Sequence, residues 1–404
     1  KLLAGSDGAP FIVGDDDQCL AAGTAVTMAD GSTKPIEAVR TGDRVLSSYG
    51  SGDFRAATVT DTFRRKRSGP MVSLHLKSGR IVRSTPEHTH FAGYVLGETP
   101  QTHFVYLMQK QGIGFRLGTS QVYTAGQARP MVGFRQRTLQ EHADALWVIR
   151  THPNENEARL DEMVTSLRFG LPTLPFVARK GRSRNGLVHE PEQIHRVFAS
   201  LDTRSAAMQL LEEVGLDPDR PHHLPQSRNS CRRNIVITLC GDRRGSRPMH
   251  RISIVGVDEG DAAQLRTQGF SVRPARRQSR SWRLETVRAE YGELMDLARA
   301  AAACLPDARY VVQGHLLRRS LPFINASSIR PGMVVATGAG EFDVVERIET
   351  GDADGEIFDI NVMSTHNFVA NGVVTHNSIY RWRGARVENL QQFQRDWPQA
   401  QLFR

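Results

Sequence analysis

The chain has 404 residues, which is enough for two or three domains of ordinary size. Hydrophobic residues make up 39% of it, so a packed core is expected, and no run of about 18 apolar residues predicts a membrane span. The formal net charge of +9 is concentrated in the middle of the chain, which indicates either phosphate-bearing partners or simply an arginine-rich composition.

The four cysteines form no CxxC pair and no His/Cys spacing typical of zinc sites; they are Cys19, Cys231, Cys240 and Cys304. This pattern argues against a disulfide framework or a structural metal and favours a reducing, cytoplasmic compartment. The chain begins at Lys1 without an initiator Met or a signal peptide, so we expect a piece of a longer protein. We also expect a monomer that does not enter a membrane.

The two ends of the chain read as halves of one motif. Residues 1–18 end in a strand-like Phe11-Ile12-Val13 and an acidic stretch that closes on Gln18, and residues 378–404 begin at Ser378. Joined across the intervening residues, they read FIVGDDDQSIYRWRGA. This line resembles the third motif of superfamily 1 DNA helicases of the UvrD/PcrA kind. We therefore interpret both ends as short helicase flanks (exteins) of an insertion.

The helicase resemblance implies roles for four flank residues. Gln18 stands where the family senses the terminal phosphate of ATP. Tyr380, Trp382 and Arg383 stand where it meets single-stranded DNA, which proteins hold by base stacking and arginine contacts. No GxxxxGKS/T phosphate loop is present, so we expect this fragment not to hydrolyse ATP. ATP would be the cofactor of the intact host helicase, a hydrolase.

Two parts of the insertion, residues 19–95 and 321–377, resemble each other. Each has a glycine-containing turn that leads into a short strand of alternating apolar residues, then two further strands and a loop with a histidine. The pattern predicts two halves of one all-β, pseudo-symmetric fold whose ends meet.

The residues at the two ends of the insertion have the chemistry to excise it. The Cys19 thiol can attack the preceding carbonyl, because sulfur is the best side-chain nucleophile near neutral pH. Ser378 follows the insertion and can accept the acyl group. Asn377 is the last inserted residue and can cyclise through its side-chain amide, with His376 beside it as a proton donor.

Together with the run Thr85-Pro86-Glu87-His88 and the tail from Thr365 onward, these residues resemble the splicing blocks of inteins. The resemblance implies the horseshoe-like, mainly β Hint fold that inteins share with hedgehog autoprocessing domains. It also implies autocatalytic, single-turnover splicing without a cofactor, which would join the two helicase flanks.

The intein resemblance also assigns roles to single residues. Thr85 and His88 would polarise the amide before Cys19, and Asp359 would help to move the thiol proton. The two tail histidines would assist asparagine cyclisation. The catalytic residues implied in this way are Cys19, Thr85, His88, Asp359, His366, His376, Asn377 and Ser378.

Residues 96–320 break the β pattern. Helices are predicted near 154–169, 190–215 and 284–304, so we interpret this part as an inserted α/β domain. Inteins often carry a homing endonuclease, and the basic charge fits a DNA backbone. We expect a degenerate, endonuclease-like domain that binds DNA. No convincing LAGLIDADG pair is present, and 256–261 is a weak candidate.

A weak similarity to GIY-YIG nucleases gives a second candidate site, which would need a divalent metal such as Mg²⁺; its residues are Tyr106, Arg116, Glu157 and Glu162. The alternative is that these residues lie on ordinary strands and a solvated helix. Five arginines form a further candidate DNA-binding cluster: Arg273, Arg276, Arg277, Arg280 and Arg283. Trp282 among them either stacks on a base or packs inside.

Two alternatives to splicing stay open. The chain could be a DNA-binding or helicase accessory module in which Cys19 and Asn377 are inert. It could also be a hedgehog-like autoprocessor that cleaves only at Cys19, although His376 and Asn377 argue against that reading because such a domain needs neither.

Overall fold

The computed structural model describes residues 2–4, 10–12, 18–123, 131–179, 186–225, 232–242, 247–275 and 280–377. Among the predicted site residues, those outside this description are Arg276, Arg277, Ser378, Tyr380, Trp382 and Arg383. In the described part, the structure is mainly β, as predicted. The described helices include none that is both long enough and apolar enough to cross a membrane.

The N-terminal flank contributes β1 (Leu2–Ala4) and β2 (Pro10–Ile12), which pair antiparallel. The strands of the first outer part follow; they are β3 (Leu20–Ala21), β4 (Ala25–Thr27), β5 (Thr33–Pro35), β6 (Arg44–Gly50), β7 (Asp53–Leu76), β8 (Ile81–Ser84) and β9 (Thr89–Gly93). Most of these strands are short, but β7 is 24 residues long and bridges several sheet segments.

The middle of the chain begins with a three-stranded antiparallel sheet and four helices. These elements are β10 (His103–Lys110), β11 (Gly114–Gln121), α1 (Gly133–Glu141), β12 (Ala145–His152), α2 (Glu155–Phe169), α3 (Pro191–Ala199) and α4 (Thr203–Glu213). The strand order is β11-β10-β12, and α2 and α4 contact the sheet. The helix predicted near 154–169 is confirmed, and the one near 190–215 is present as two helices.

A second α/β unit follows: β13 (Asn234–Asp242), β14 (Met249–Gly256), α5 (Glu259–Thr267), β15 (Val272–Pro274), β16 (Trp282–Arg288), α6 (Tyr291–Ala303) and β17 (Arg309–Gly314). The helix predicted over 284–304 is therefore wrong in its first residues, because β16 continues to Arg288 and the helix begins at Tyr291. Here β16 pairs with β14 along its whole length, so cross-strand pairing overrides the helical preference of the segment.

The last strands are β18 (Leu321–Asn325), β19 (Val334–Ala336), β20 (Phe342–Val362), β21 (Asn367–Ala370) and β22 (Val373–His376). They confirm the predicted two-fold repeat. Each half has a 3-10 turn (Ile36–Ala38 and Ala326–Ser328), then a glycine with left-handed backbone, then a short strand and a long one. The two long strands, β7 and β20, pair antiparallel with each other.

The hydrophobic packing crosses the predicted boundaries near 95 and 320. One core joins Phe91 and Val369 of the outer parts to Ile237 and Tyr291 of the second α/β unit. Gly50 in β6 shows how closely the parts approach, since a Cβ there would lie 2.6 Å from the Cys240 carbonyl oxygen. The first α/β unit has two cores of its own. The domain boundaries themselves stay predictions.

Candidate functional site

The peptide bond between Gln18 and Cys19 is held by Thr85. This residue follows β8, which pairs with β3 directly after Cys19. The Cys19 amide N–H donates to the Thr85 hydroxyl (3.1 Å), and the Thr85 N–H donates back to the Cys19 carbonyl (2.9 Å). Both residues are buried. The nitrogen of the bond that the sequence marks for cleavage therefore has a fixed partner.

His88 lies on the other side of the same peptide bond. Its ring is fully buried, with Nε2 2.8 Å from the Thr375 hydroxyl. Burial lowers the pKa of His88 to about 4, and an interaction with the Gln18 backbone acts in the opposite direction. Nδ1 makes no regular hydrogen bond within the described chain, although the Gln18 backbone is near enough to favour a protonated ring. At neutral pH the ring is therefore uncharged, and the Gln18 backbone lies close to it.

A second histidine, His90, was missed by the sequence reasoning. Its ring meets the His88 ring edge to face at 4.7 Å, and its nitrogens lie 2.9 Å from the Ser84 hydroxyl and 3.4 Å from the Thr375 hydroxyl. Burial holds the pKa of His90 well below its usual value. The His-Thr-His spacing was the available signal, because alternate residues of a strand share a face.

Cys19 lies in a small apolar cluster with Met71 and Ile357. Strand β3 pairs with β20 in a register that sets Phe358 against Leu20, and continuing it by one residue sets Asp359 against Cys19. Asp359 is buried, and its carboxylate accepts the N–H of the following residue at 2.9 Å. The predicted acid therefore lies on the same rung of the sheet as the predicted nucleophile.

The other end of the insertion is placed by the hairpin of β21 and β22. Its turn is Asn371-Gly372, both left-handed (φ 48° and 77°), as two-residue hairpin turns of this kind require. The hairpin brings the chain back so that the Asn377 N–H reaches the His366 carbonyl at 3.4 Å.

The side chain of Asn377 is fully buried and oriented by a neighbour. Its amide nitrogen donates to the Asn361 side-chain oxygen at 2.9 Å. Its own oxygen has no hydrogen-bond partner within the described chain. Asn361 lies on β20, two residues after Asp359 and on the same face. Sequence reasoning missed it, since an Asn within a strand has no distinguishing pattern.

His376 is enclosed by aromatic rings, with Phe323 at 4.5 Å and Phe91 at 5.8 Å between ring centres. Burial holds its pKa well below the usual value, and the nearby His366 and His88 act in the same direction. Neither ring nitrogen has a partner among the described residues. At neutral pH the His376 imidazole is therefore uncharged, and it directly precedes Asn377 in the chain.

The two ends of the insertion meet in one place. Strand β9 follows His88, and β22 leads into Asn377; the two strands pair through His90 and Thr375. The hydrogen bond between His88 and Thr375 ties the same elements together. Every described residue of the predicted splicing site thus lies on strands or turns that adjoin these two junctions.

The four residues of the nuclease-like candidate site are only partly brought together in the structure. Arg116 is buried in an ion pair with Glu141, a residue that the sequence reasoning did not select. Tyr106 and Glu162 act on Arg116 electrostatically, and burial raises the pKa of Glu162. Glu157 is exposed and lies five residues from Glu162, which is about 140° around a helix. The described residues include no group of three or more acidic, His or Cys side chains able to hold a metal ion.

The arginine cluster is largely paired in its described part. Arg273 and Arg283 lie opposite each other on β15 and β16, and both contact Glu285, at 2.9 and 3.8 Å. Arg280 is exposed. Trp282 is buried and donates its indole N–H to the Asp258 carbonyl at 2.6 Å, so it packs inside rather than offering a face to a base.

No protein-family model and no curated protein matches the chain. Solved structures do match it, and the following three are inteins. The gp41-1 intein is 10% identical over 89% of this chain and 98% of that chain, with a TM-score of 0.28. A DnaB intein from Synechocystis sp. PCC 6803 is 9% identical over 89% and 99%, with a TM-score of 0.26. The PabCDC21-1 intein is 10% identical over the same shares, with a TM-score of 0.25. At TM-scores this low, no residue's role follows from the likeness.

Proposed function

We propose that residues 19–377 excise themselves from the chain and join Gln18 to Ser378. The main support for this proposal comes from the contacts of the Gln18–Cys19 peptide bond. Thr85 accepts a hydrogen bond from its nitrogen, and His88 lies on its carbonyl side. Both residues come from one turn, in which the His88 N–H donates to the Thr85 carbonyl at 3.1 Å, and this turn adjoins the buried Cys19.

In the first step, the Cys19 sulfur attacks the Gln18 carbonyl carbon. The carbon–nitrogen bond breaks, the sulfur takes over the acyl group as a thioester, and the thiol proton ends on the new Cys19 amine. Asp359, on the neighbouring strand, would carry this proton. Thr85 would hold the leaving nitrogen, and a His88 tautomer with its proton on Nδ1 would stabilise the oxygen.

Three further steps complete the exchange. The Ser378 hydroxyl attacks the thioester, the Cys19 thiol is released and an ester forms. The Asn377 amide nitrogen then attacks its own carbonyl carbon, which breaks the bond to Ser378 and leaves a succinimide. His376 would take up the proton that the Asn377 amide nitrogen loses and pass it to the departing Ser378 amine. That amine finally attacks the ester carbonyl, so that an ordinary peptide bond replaces the ester.

The host in this proposal is a superfamily 1 DNA helicase. Support comes from the joined line FIVGDDDQSIYRWRGA, in which Gln18 and Ser378 become neighbours. The insertion would keep the helicase motif interrupted until excision. DNA binding by the middle of the chain stays part of the proposal, supported by its basic charge but not by the ion-paired Arg273 and Arg283.

Intact-mass measurement after expression tests the proposal. Wild type is compared with a Cys19→Ala, Asn377→Ala double variant, in the presence of reductant. We expect wild type to give residues 19–377 as one product and the joined flanks as another, while the double variant stays whole. A wild-type chain that stays at 44.9 kDa would contradict splicing. Cleavage only before Cys19 would instead support a hedgehog-like autoprocessor.

A further inference from the structure

The turn that carries His366 has an unfavourable backbone conformation. It comprises residues 363–366 and connects β20 to β21. Ser364 and His366 both have left-handed backbone, with φ of 61° and 51°. For residues other than glycine this conformation has a cost, and it persists where the surrounding structure holds it. The first outer part holds the turn through Thr58, which accepts the Met363 N–H at 2.9 Å, and through Ser47, whose hydroxyl contacts that of Thr365 at 2.7 Å. Further contacts come from the middle of the chain.

His250, on β14, is the first of these contacts. Its ring is fully buried, and Nδ1 accepts the Cys240 N–H at 3.1 Å. Nε2 must therefore carry the ring proton, which it donates to the Ser364 carbonyl at 2.7 Å. Burial lowers the pKa of His250 to about 4, so this arrangement is kept at neutral pH. Both ring nitrogens of His250 are therefore hydrogen-bonded, and the bond from Nε2 holds the turn at Ser364.

Tyr291, the first residue of α6, is the second contact. Its buried ring meets the His250 ring edge to face at 5.5 Å and lies 5.4 Å from the His366 ring. The His250 and His366 rings are 6.1 Å apart. The rings of His250 and Tyr291, both from the second α/β unit, thus pack beside the ring of His366.

The 363–366 turn also positions Asn377, the residue that cyclises in the proposed reaction. The His366 carbonyl accepts the Asn377 N–H, and His366 acts on the pKa of His376. A shift of the turn would move the Asn377 backbone relative to its side chain. Misplacing reacting groups by about 1 Å can cost 100-fold in rate, because the geometry supplies much of the acceleration.

We infer that His250 and Tyr291 are positioning residues for cleavage after Asn377, so that the second α/β unit is a working part of the splicing site. This inference rests on the proposed function. It predicts that damage to these two residues affects the Asn377 junction selectively and leaves the Cys19 junction nearly intact.

The test uses the full chain and measures the two junctions separately. A Cys19→Ala background reports release after Asn377, and an Asn377→Ala background reports thiol-induced cleavage before Cys19. We expect His250→Phe and Tyr291→Leu to slow the first by about tenfold or more and the second by less than about twofold. His250→Gln, which keeps a donor for the Ser364 carbonyl, should restore much of the rate.

His223→Phe is the matched control. Like His250, His223 belongs to the middle of the chain and has a pKa lowered by burial, but it is partly exposed and packs on Phe134 in the first α/β unit. It should leave both rates unchanged. Equal losses at both junctions for His250→Phe, or no loss at either, would overturn the inference.

An inert parent chain would count against the proposed function rather than against this inference. In that case amide hydrogen exchange over residues 363–366 decides. His250→Phe must speed exchange there relative to the parent, and unchanged exchange would overturn the inference.

Discussion

At the scale of single residues, the two junctions are unusual in how much polarity they bury. His88, His90, His376 and Asn377 are all buried, and some of their polar atoms have no partner among the described residues. Burying an unpaired polar atom costs about 1–3 kcal/mol. A fold that served only stability would replace such groups with apolar ones. Their presence fits a site whose partners are the reacting peptide groups themselves.

Asn361 is the residue through which the cyclisation step is most directly testable. It accepts a hydrogen bond from the Asn377 amide nitrogen, the atom that must attack. Asn361→Ala removes this acceptor, and one hydrogen bond of about 1 kcal/mol corresponds to about a fivefold slower release after Asn377. The measurement is the rate of that release in a Cys19→Ala background, followed by mass spectrometry.

Asn361→Asp is the control, because a carboxylate still accepts from the amide nitrogen and should keep the rate near that of the parent. Thr60→Ala offers a second comparison, since the Thr60 hydroxyl donates to the Asn361 backbone carbonyl, at 3.4 Å, and not to its side chain. If the Ala variant at 361 released its C-terminal flank as fast as the parent, the orienting role of Asn361 would be refuted.

At the scale of elements, the tail hairpin joins the two halves of the site. Asn371 in its turn accepts the Ala25 N–H at 2.8 Å and donates to the Ile81 carbonyl at 2.9 Å. It therefore fixes the turn between β21 and β22 to strands β4 and β8. The same residue adopts a left-handed backbone that Asn tolerates better than most residues.

Asn371→Ala should loosen both junctions at once. The loss of one partly buried and one exposed hydrogen bond, together with the added backbone strain, should lower the free energy of unfolding by about 2 kcal/mol. Urea denaturation of the Cys19→Ala, Asn377→Ala chain measures this. Asn371→Gly also loses both hydrogen bonds but adds no backbone strain. Its free energy of unfolding should therefore lie between those of the parent and of Asn371→Ala. An unchanged midpoint for Asn371→Ala would show that the turn does not fix the strands.

Sequence alone predicted two kinds of feature: the residues next to the two ends of the insertion, and the elements that occur in both of its outer parts. The two-fold repeat is visible because each half reuses a glycine turn and a short strand, and it is confirmed by the 3-10 turns at Ile36–Ala38 and Ala326–Ser328. The convergence of Thr85 and His88 on one peptide agrees with the resemblance. The roles of these residues stay predictions.

The contacts that sequence could not predict are those made across long separations without a motif. Asn361 reaches Asn377 because β20 passes beneath the tail, and His250 reaches Ser364 across 114 positions. Glu141 was missed because a buried ion pair with Arg116 leaves no periodic pattern. The β16 error has the same origin, since its partner β14 decides its conformation.

At the scale of the whole molecule, the second α/β unit and the outer parts share one hydrophobic core. Strand β17 leads into β18 and so into the sheet around β9, which makes the packing continuous from α6 to the tail. Such packing favours unfolding of these parts together. It also means that conditions that destabilise the middle of the chain act on the splicing site.

Acid should be such a condition, because several buried histidines are neutral in the folded chain. Burial lowers the pKa of His88 and His250 to about 4 and that of His222 and His223 to about 3. In the unfolded chain each has a pKa of about 6.5. As pH falls below 6.5 the unfolded chain therefore takes up protons first, so stability is complete above that value and is lost towards pH 4.

At pH 5 each of these histidines should lower the free energy of unfolding by about 2 kcal/mol relative to pH 7. Carboxylates whose pKa is lowered, such as Asp43, stay ionised between pH 7 and pH 5 and add nothing to this loss. Urea unfolding of the Cys19→Ala, Asn377→Ala chain at the two pH values measures the loss. A His222→Gln, His223→Gln version should show a smaller difference, because two of the titrating groups are gone. Equal stability of the parent at pH 5 and pH 7 would mean that the unfolded chain takes up no more protons than the folded one.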